Sequence, residues 1–281
     1  MSEETMTSPS ESPRVAVIGG GVMGGTIITA IRVAGWPVEG IAVAEKDRDR
    51  AGALEEAHGI HASESIGEAV DGAEVIVIAV KPQDADSALA QIAPAYKPGA
   101  LVITVAAGLP TSFYESRLPE GAPVVRCMPN TPAIVARGAT AIAAGSHASS
   151  QHLGIAESML RATGLVVTVA EEDLDAVTAV SGSGPAYFYA VVEALTEAGV
   201  AHGLDRTLAT QLAAQTFVGA AQLLMESGDT PQTLRRRVSS PGGTTIAALD
   251  AMEHAGLQGV VSAGANAAAA RSKELAQELG D

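Results

Sequence analysis

The sequence contains little cysteine and few basic residues, and each shortage excludes a class of protein. A single cysteine, Cys127, among 281 residues cannot form an internal disulfide. This usage is typical of a reducing compartment and favours the cytoplasm. The 17 Lys and Arg residues against 32 Asp and Glu residues give a net charge of −15. A nucleic-acid binder needs a basic face, so the composition argues against one, and an anionic ligand must be held by a local group of donors.

Long apolar runs and metal-ligand patterns are also lacking. No uncharged apolar run in the sequence reaches the roughly 18–20 residues that a membrane-spanning helix needs. Residues 1–13 are rich in Ser, Glu, Thr and Pro, which predicts a disordered tail rather than a targeting segment. Of the six histidines, His58 and His61 are close in sequence but separated by a predicted turn at Gly59. No Cys or carboxylate completes a ligand set around them, so we expect no metal site.

The order of apolar and amphipathic segments predicts two domains after the tail. Between residues 14 and 170 apolar runs alternate with helical patterns, which is typical of βαβ units around a mostly parallel, doubly wound sheet. The run from Val75 to Val80 lacks polar alternation, as expected for a strand covered on both faces. From residue 171 to residue 281 helical patterns alone remain, rich in Ala and Gly. They predict an all-helical second domain that packs closely against a second subunit.

A glycine-rich segment follows the first predicted strand. The run Val15 to Ile18 leads into Gly-x-Gly-x-x-Gly and then a helical pattern. In Rossmann-type domains these glycines allow a tight turn, close approach to a pyrophosphate, and close packing of the strand and helix. The context therefore predicts a dinucleotide-binding Rossmann domain. We assign its pyrophosphate loop to Gly19, Gly21, Val22, Met23 and Gly24.

The choice of cofactor rests on the end of the second predicted strand. Glu45 lies there, and a carboxylate at this position usually bonds the adenosine ribose and repels a 2′-phosphate, which favours NADH. Lys46, Arg48 and Arg50 follow immediately and favour NADPH, because they can surround that phosphate. The residues alone leave both cofactors open.

Three further segments follow predicted strands and should reach the ligand-binding edge of the sheet. They are Val80-Lys81-Pro82, Ala106-Ala107-Gly108 and Met128-Pro129-Asn130-Thr131-Pro132. Lys81 suits a phosphate or a substrate carboxylate, although a solvated loop lysine explains it as well. Asn130 suits the nicotinamide amide or the ribose.

Two segments of the helical part carry hydrogen-bonding groups suited to a small substrate. Val238-Ser239-Ser240-Pro241-Gly242-Gly243-Thr244-Thr245 opens a helical pattern, and the free N–H groups of a helix start favour a carboxylate. An ordinary capped helix is the simpler alternative. The other segment is Ser181-Gly182-Ser183-Gly184-Pro185. Ser183 is a candidate cap for the helix that follows, and the Gly-Ser-Gly backbone is alternatively suited to closing over nicotinamide or substrate.

Taken together, the loop Gly19 to Gly24 and the Val-Lys-Pro, Met-Pro-Asn-Thr-Pro, Ser-Gly-Ser-Gly-Pro and Ser-Pro-Gly-Gly-Thr-Thr segments resemble the pyrroline-5-carboxylate reductases. The resemblance covers essentially everything after the tail. It implies reduction of L-1-pyrroline-5-carboxylate to L-proline by NADPH or NADH, the last step of proline biosynthesis. It also implies a homodimer interlocked through the helical domain, often within a larger homo-oligomer. It favours NADPH, with NADH also accepted.

The resemblance also implies roles for individual residues. Thr245 ranks first as the residue contacting the ring nitrogen or carboxylate, and the two halves of a site can come from different subunits. The other substrate-binding residues implied are Val238, Ser240, Gly242, Gly243, Thr244, Ser183 and Gly184. The cofactor-lining residues implied beyond the loop and Glu45 are Ala79, Val80, Lys81, Pro82, Ala107, Gly108 and Asn130. One departure is Ile66, near the position of an Asn that binds the adenosine end in many relatives.

Two competing functions are compatible with parts of this pattern. A reductase of the 3-hydroxyacid dehydrogenase type shares the glycine loop but uses a lysine on a helix of its second domain. Here the only lysine after Lys97 is Lys273, near the C-terminus, which disfavours that reaction. A nicotinamide-binding sensor without catalysis would keep the loop and would need no carboxylate-binding turn, so the segment Val238 to Thr245 favours an enzyme.

Overall fold

A computed structural model describes residues 12–280, with the side chains of residues 279 and 280 excepted. Most of the predicted tail, residues 1–13, lies outside the described part of the chain. The described residues group into two compact units. We call them the sheet unit, which runs to Gly182 and resumes at Ala268, and the helical unit, Ser183–Ala267. The predicted boundary at residue 170 remains a prediction.

The sheet unit contains one eight-stranded sheet with the strand order β3-β2-β1-β4-β5-β6-β7-β8. All neighbouring strands are parallel except β6 and β7. The strands are β1 (Val15–Ile18), β2 (Ile41–Ala44), β3 (His61–Ser63), β4 (Val75–Ile78), β5 (Leu101–Thr104), β6 (Val124–Met128), β7 (Gly138–Ala144) and β8 (Gly164–Thr168). The predicted mostly parallel, doubly wound sheet is confirmed.

Helices surround the sheet and then form the second unit. The helices of the sheet unit are α1 (Val22–Val33), α2 (Arg48–His58), α3 (Ile66–Val70), α4 (Ala85–Ile92), α5 (Thr111–Glu115), α6 (Ser150–Leu160) and α7 (Leu174–Val177). A short π-helix, Thr178–Gly182, follows α7. The remaining helices are α8 (Gly184–Ala201), α9 (Arg206–Ser227), α10 (Pro231–Arg237), α11 (Thr244–His254) and α12 (Leu257–Gly280). The predicted helical second part is confirmed, and α12 returns its last residues to the sheet unit.

Alternating side chains of the central strands build two apolar cores, one on each face of the sheet. Ile76 and Ile78 of β4 belong to one core, and Val75 and Val77 belong to the other. Because successive residues of a strand point to opposite faces, a strand with both faces covered is apolar throughout. This explains why the uninterrupted run in β4 predicts a central strand.

Two short elements and one strand direction were not anticipated from the sequence. Strand β3 and helix α3 are only three and five residues long, too short for an apolar period to show. β3 is also the edge strand of the sheet and exposes His61. β7 runs antiparallel to β6, with Cys127 paired to Ile142. The chain between these strands contains only a 3₁₀-helix, Thr131–Val135, so it turns back without the longer crossover that a parallel pair needs.

The helical unit buries few of its own side chains. The buried residues on α8 and α9 are Gly184, Thr196, Ala209 and Ala213, and α10 and α11 contain none. Large apolar side chains such as Tyr189, Leu212 and Met225 are exposed, Met225 by 80%. Exposed apolar surface of this kind usually marks an interface. No helix in the described residues is both long enough and apolar enough to cross a membrane.

Candidate functional site

The glycine-rich loop between β1 and α1 is shaped by contacts that exclude side chains. A Cβ on Gly24 would lie 1.9 Å from the carbonyl oxygen of Gly19. Gly19 itself has a φ of +97°, and a Cβ there would lie 2.9 Å from the Ala79 carbonyl oxygen. Gly21 has no atom within 4 Å of its Cβ position, so this glycine borders open space. Two of the three glycines are therefore required by packing, and the third leaves room for a ligand.

The start of α1 offers unpaired backbone donors to that open space. Gly21 caps the helix without a side-chain hydrogen bond, and the first turn contains no acidic residue. The N–H groups of Val22, Met23 and Gly24 have no intrahelical partner, because the first turn of a helix has no carbonyl groups before it. With the partial positive charge of a helix start, they suit the pyrophosphate of a dinucleotide.

A cleft of about 510 Å³ lies beside this loop. Its walls include the predicted residues Gly19, Gly21, Glu45, Ala79, Val80 and Lys81. Lys46, Arg50 and Ile66 also line it. The cleft fits a dinucleotide, because the glycine loop forms one wall and the strand ends form another.

The segment after β4 contributes cleft residues that were not predicted from the sequence. Asp84, Ser87, Ala88 and Gln91 line the cleft, and all lie on or next to α4. Their spacing of three to four residues places them on one helix face. That spacing was available in the sequence, but it is also the spacing of an ordinary core-facing stripe.

Seven of the predicted cofactor residues are not among the described residues that line this cleft: Val22, Met23, Gly24, Pro82, Ala107, Gly108 and Asn130. Ala107 is exposed after β5. Gly108 is buried and has a φ of +88°. Asn130 uses both ends of its side-chain amide within the protein, since its Oδ1 accepts from Ala139 N–H at 2.9 Å and its Nδ2 donates to the Ser181 carbonyl at 3.0 Å.

Glu45 is turned toward the loop as a structural clamp. Its side chain is 5% exposed, and Oε2 accepts the Gly20 N–H at 2.9 Å. Oε1 accepts the Asp47 N–H at 2.8 Å and Nη2 of Arg50 at 3.1 Å. Burial acts to raise the pKa of Glu45, but the hydrogen bonds from Arg50, Asp47 and Gly20 outweigh it and lower the pKa. The carboxylate thus remains ionised and joins the loop to the β2–α2 turn.

We expect Glu45→Gln to weaken binding of both cofactors about tenfold, because an amide cannot accept from all three donors. The NADPH-to-NADH affinity ratio should stay the same, measured by fluorescence titration. Glu56→Gln, an exposed change on α2, is the matched control. A loss confined to NADH would instead mean that Glu45 binds the ribose.

Because the pKa of Glu45 in the folded protein lies below the ordinary 4.5, the hydrogen bonds of its carboxylate should be complete above pH 4.5 and lost as the pH falls through the lower value.

The turn before α11 is the second donor-rich structure, and it lies in the helical unit. Gly242 has a φ of +71°, and the Gly243 N–H donates to the Ser240 carbonyl at 2.9 Å. A Cβ on Gly243 would lie 3.0 Å from that carbonyl oxygen and 2.5 Å from Ser240 Oγ. The geometry of the turn itself therefore requires glycine at both positions.

The N-terminus of α11 resembles that of α1 in its free donors. Gly243 caps it with no side-chain hydrogen bond, and no acidic residue lies in the first turn. The N–H groups of Thr244, Thr245 and Ile246 thus lack intrahelical partners. Thr245 is half-buried, whereas Val238, Ser240, Gly242 and Thr244 are exposed. The arrangement suits a small carboxylate.

Ser183 and Gly184 begin α8 in the helical unit. Ser183 occupies the N-cap position, but its side chain makes no capping hydrogen bond, and Gly184 is buried. The predicted capping by the Ser183 hydroxyl is therefore wrong. Among the described residues, no hydrogen bond joins Ser183 or Gly184 to the turn before α11. Residues 12–280 also contain no group of three or more His, Cys, Asp or Glu side chains placed to hold a metal.

Comparison with family models divides the chain in a similar way. Residues 14–108 match the model described as NADP oxidoreductase coenzyme F420-dependent. Residues 171–275 match the model for pyrroline-5-carboxylate reductase dimerisation. The sheet part therefore resembles NADP-dependent oxidoreductases. The helical part resembles the dimerisation domain of pyrroline-5-carboxylate reductases.

Relatives match over nearly the whole chain. The pyrroline-5-carboxylate reductase of Pseudomonas aeruginosa is 42% identical over 270 residues, which cover 96% of this chain and 99% of that protein. A solved pyrroline-5-carboxylate reductase from Coxiella burnetii has a TM-score of 0.90 at 34% identity, covering 94% of this chain and 99% of that one. The Plasmodium falciparum enzyme, solved with NADP bound, has a TM-score of 0.83 at 29% identity, covering 95% and 99%. The chain therefore belongs to the pyrroline-5-carboxylate reductases, a family of NAD(P)H-dependent oxidoreductases.

Proposed function

We propose that the chain reduces L-1-pyrroline-5-carboxylate to L-proline with NADPH, with NADH also accepted, as the last step of proline biosynthesis. The observation that carries this proposal is the pair of helices α1 and α11. Each begins at a glycine cap and has no acidic residue in its first turn. One start suits a pyrophosphate, and the other suits the carboxylate of a small substrate.

The cleft residues hold the cofactor in this proposal. The N–H groups of Val22, Met23 and Gly24 bind the pyrophosphate, and Ala79, Val80, Lys81 and Pro82 line the path along the strand ends. When bound, the cofactor supplies a hydride from nicotinamide C4. Ala107 and Gly108 lie at the end of the next strand and complete the edge along which the cofactor extends.

The turn before α11 holds the substrate. Its carboxylate accepts the N–H groups of Thr244 and Thr245, with Gly242 and Gly243 allowing close approach and Val238, Ser240, Ser183 and Gly184 bordering the ring. The half-buried Thr245 hydroxyl contacts the ring nitrogen or the carboxylate. These groups orient the imine and provide no strong acid.

The reaction needs no dedicated acid residue. The hydride adds to the carbon of the protonated C=N bond, the π electrons move to nitrogen, and the secondary amine of proline forms. The imine nitrogen arrives protonated or takes a proton through the Thr245 hydroxyl or water. Alignment of donor and acceptor supplies most of the rate enhancement, which agrees with the absence of His and acidic side chains from the segment Val238 to Thr245.

Isotope transfer tests this mechanism. NADPH deuterated at one or the other face of nicotinamide C4 is incubated with the enzyme and L-1-pyrroline-5-carboxylate. Mass spectrometry should find one deuterium on C5 of proline with one of the two cofactors and none with the other. Deuterium-free proline with both would overturn direct hydride transfer.

We propose that Lys46 sets the preference for NADPH. It lines the cleft and is exposed. Arg48 pairs with Glu64 at 2.8 Å, and Arg50 pairs with Glu45 and Asp47, both at 3.1 Å. Among the described residues Lys46 makes no ion pair, so of these three cations after β2 it is the one free to meet a 2′-phosphate.

We expect Lys46→Gln to raise KM for NADPH about fivefold and to leave KM for NADH within about twofold, since only NADPH carries the extra phosphate. Initial rates with each cofactor measure this. Lys97→Gln makes the same charge change at a lysine paired with Glu74, outside the residues lining the cleft. Equal changes in both KM values for Lys46→Gln would remove it from 2′-phosphate recognition.

We further propose a homodimer that assembles into a larger homo-oligomer in the cytoplasm. The exposed apolar side chains of the helical unit, among them Tyr189, Leu212 and Met225, support burial against a second copy. The single cysteine, Cys127, supports a reducing compartment, since it cannot form an internal disulfide. The ligands expected are small molecules, with no nucleic acid and no membrane.

A further inference from the structure

The side chain of Asn130 links two segments far apart in sequence. Its Oδ1 accepts the Ala139 N–H at 2.9 Å, and its Nδ2 donates to the Ser181 carbonyl at 3.0 Å. Asn130 is half-buried. A primary amide with its oxygen and one N–H engaged in this way is oriented by the protein rather than by a ligand.

The Ser181 carbonyl has no α-helical donor in the chain that follows it. In an α-helix a carbonyl accepts from the residue four positions later, and here that residue is Pro185, which has no N–H. In a π-helix the donor is five positions later. That residue is Ala186, whose N–H donates to the Ser183 carbonyl at 3.0 Å. A carbonyl left unpaired at a half-buried site is costly.

The segment that contains Ser181 is held by the same loop at a second point. It is the π-helix Thr178–Gly182, and short π-helical segments are frequent at functional sites. Cε of Met128 lies 2.7 Å from the position that a Cβ on Gly182 would take. Residues 128 and 130 thus hold consecutive residues of the π-helix, immediately before Ser183 and Gly184.

We propose that Asn130 is a positioning residue for Ser183 and Gly184. Its amide donates to the Ser181 carbonyl the hydrogen bond that Pro185 cannot, and this fixes the backbone leading into Ser183 and Gly184. The proposal replaces a direct contact of Asn130 with the cofactor, and it rests on the proposed function only in assigning Ser183 and Gly184 to the substrate.

A double-mutant cycle with Pro185→Ala tests the proposal. Asn130→Asp keeps the acceptor for Ala139 but places an oxygen against the Ser181 carbonyl. Pro185→Ala supplies an N–H at the first turn of α8, four positions after Ser181, which is the α-helical donor position for the Ser181 carbonyl. KM for the imine, the dissociation constant of NADPH by fluorescence titration, and the thermal unfolding midpoint are measured for all four proteins.

Asn130→Asp should raise KM for the imine about tenfold, in line with a lost hydrogen bond to a buried carbonyl. The NADPH dissociation constant should stay within about twofold. With Pro185→Ala present the same change should raise KM about threefold or less, and it should lower the unfolding midpoint less than it does alone. An NADPH constant that rises as much as KM, or a penalty undiminished by Pro185→Ala, would overturn the proposal.

Two further outcomes, an inactive unsubstituted protein and a variant that does not fold, still allow the role of Asn130 to be decided. If the unsubstituted protein shows no turnover of the imine, the proposed function fails, and the coupling between the two substitutions in unfolding midpoint still decides the role of Asn130. If Asn130→Asp does not fold, Asn130→Ser enters the same cycle, because a serine hydroxyl is too short to reach both partners. Additive midpoints in that cycle would overturn the proposal, and smaller losses with Pro185→Ala would support it.

Discussion

Gly24→Ala should abolish binding of NADPH and NADH. The new Cβ would lie 1.9 Å from the Gly19 carbonyl oxygen, and a backbone oxygen cannot move aside as the end of a side chain can. Either α1 shifts away from β1 or the loop opens, and both displace the N–H groups of Val22 and Met23. We expect at least a hundredfold loss of cofactor affinity, about 3 kcal/mol or more, measured by fluorescence titration.

The adjacent glycine provides the matched control. A Cβ on Gly25 would meet Leu54 Cδ2 at 3.7 Å, an ordinary van der Waals contact. Because Ala is a better helix former than Gly by about 1 kcal/mol, Gly25→Ala should raise the unfolding midpoint slightly and leave cofactor affinity intact. Normal cofactor binding by Gly24→Ala would contradict the structure of the loop.

Thr245→Ala should impair reduction of the imine with little change in stability. Thr245 is half-buried and lies in the first turn of α11, where alanine maintains the helix. Loss of a hydrogen bond to a charged group costs roughly 1.5–3 kcal/mol, which corresponds to about a 10- to 150-fold fall in kcat/KM. Steady-state kinetics with L-1-pyrroline-5-carboxylate measure this fall, and cofactor affinity should be unchanged.

A conservative substitution and a remote one complete this experiment. Thr245→Ser keeps the hydroxyl and should recover most of the activity. Thr207→Ala makes the same change at an exposed position in the first turn of α9 and should leave kcat/KM at the level of the unsubstituted enzyme. Full activity of Thr245→Ala would remove Thr245 from substrate contact and leave the backbone N–H groups as the only donors.

The sheet and its glycine loop were predictable because their determinants are local. The spacing of Gly19, Gly21 and Gly24 after an apolar strand encodes both a turn and a helix start, and the structure places them as that spacing requires. The alternation of apolar runs with helical patterns gave the order of elements for the same reason. Strand β3 escaped prediction because its three residues form an exposed edge, where little apolar surface is needed.

The roles of Glu45 and Asn130 could not be predicted in the same way. Both residue types suit a ligand, and both lie at strand ends where ligands bind. The structure shows hydrogen bonds from the Gly20 N–H to Glu45 and from Asn130 to the Ser181 carbonyl. These partners are 25 and 51 residues away in sequence, so only the tertiary arrangement reveals that the side chains are already engaged.

The surroundings of the turn before α11 could not be predicted from the sequence either. The turn's donors follow from the glycine cap of α11, which the residues predict well. Its surroundings do not, because the helical unit exposes much of its apolar surface, and an exposed surface in one chain does not identify what covers it. The assignment of Val238 to Thr245 to the substrate is therefore a proposal, which the substitutions of Thr245 test.

Loss of reduced-nicotinamide absorbance when the purified protein is mixed with L-1-pyrroline-5-carboxylate tests the proposed reaction most directly. NADPH and NADH are run in parallel, with protein-free and imine-free controls. We expect rapid loss that depends on both protein and imine, faster with NADPH, with L-proline formed in equal amount. No imine-dependent loss with either cofactor, on protein that is folded and binds NADPH, would contradict the proposed reaction.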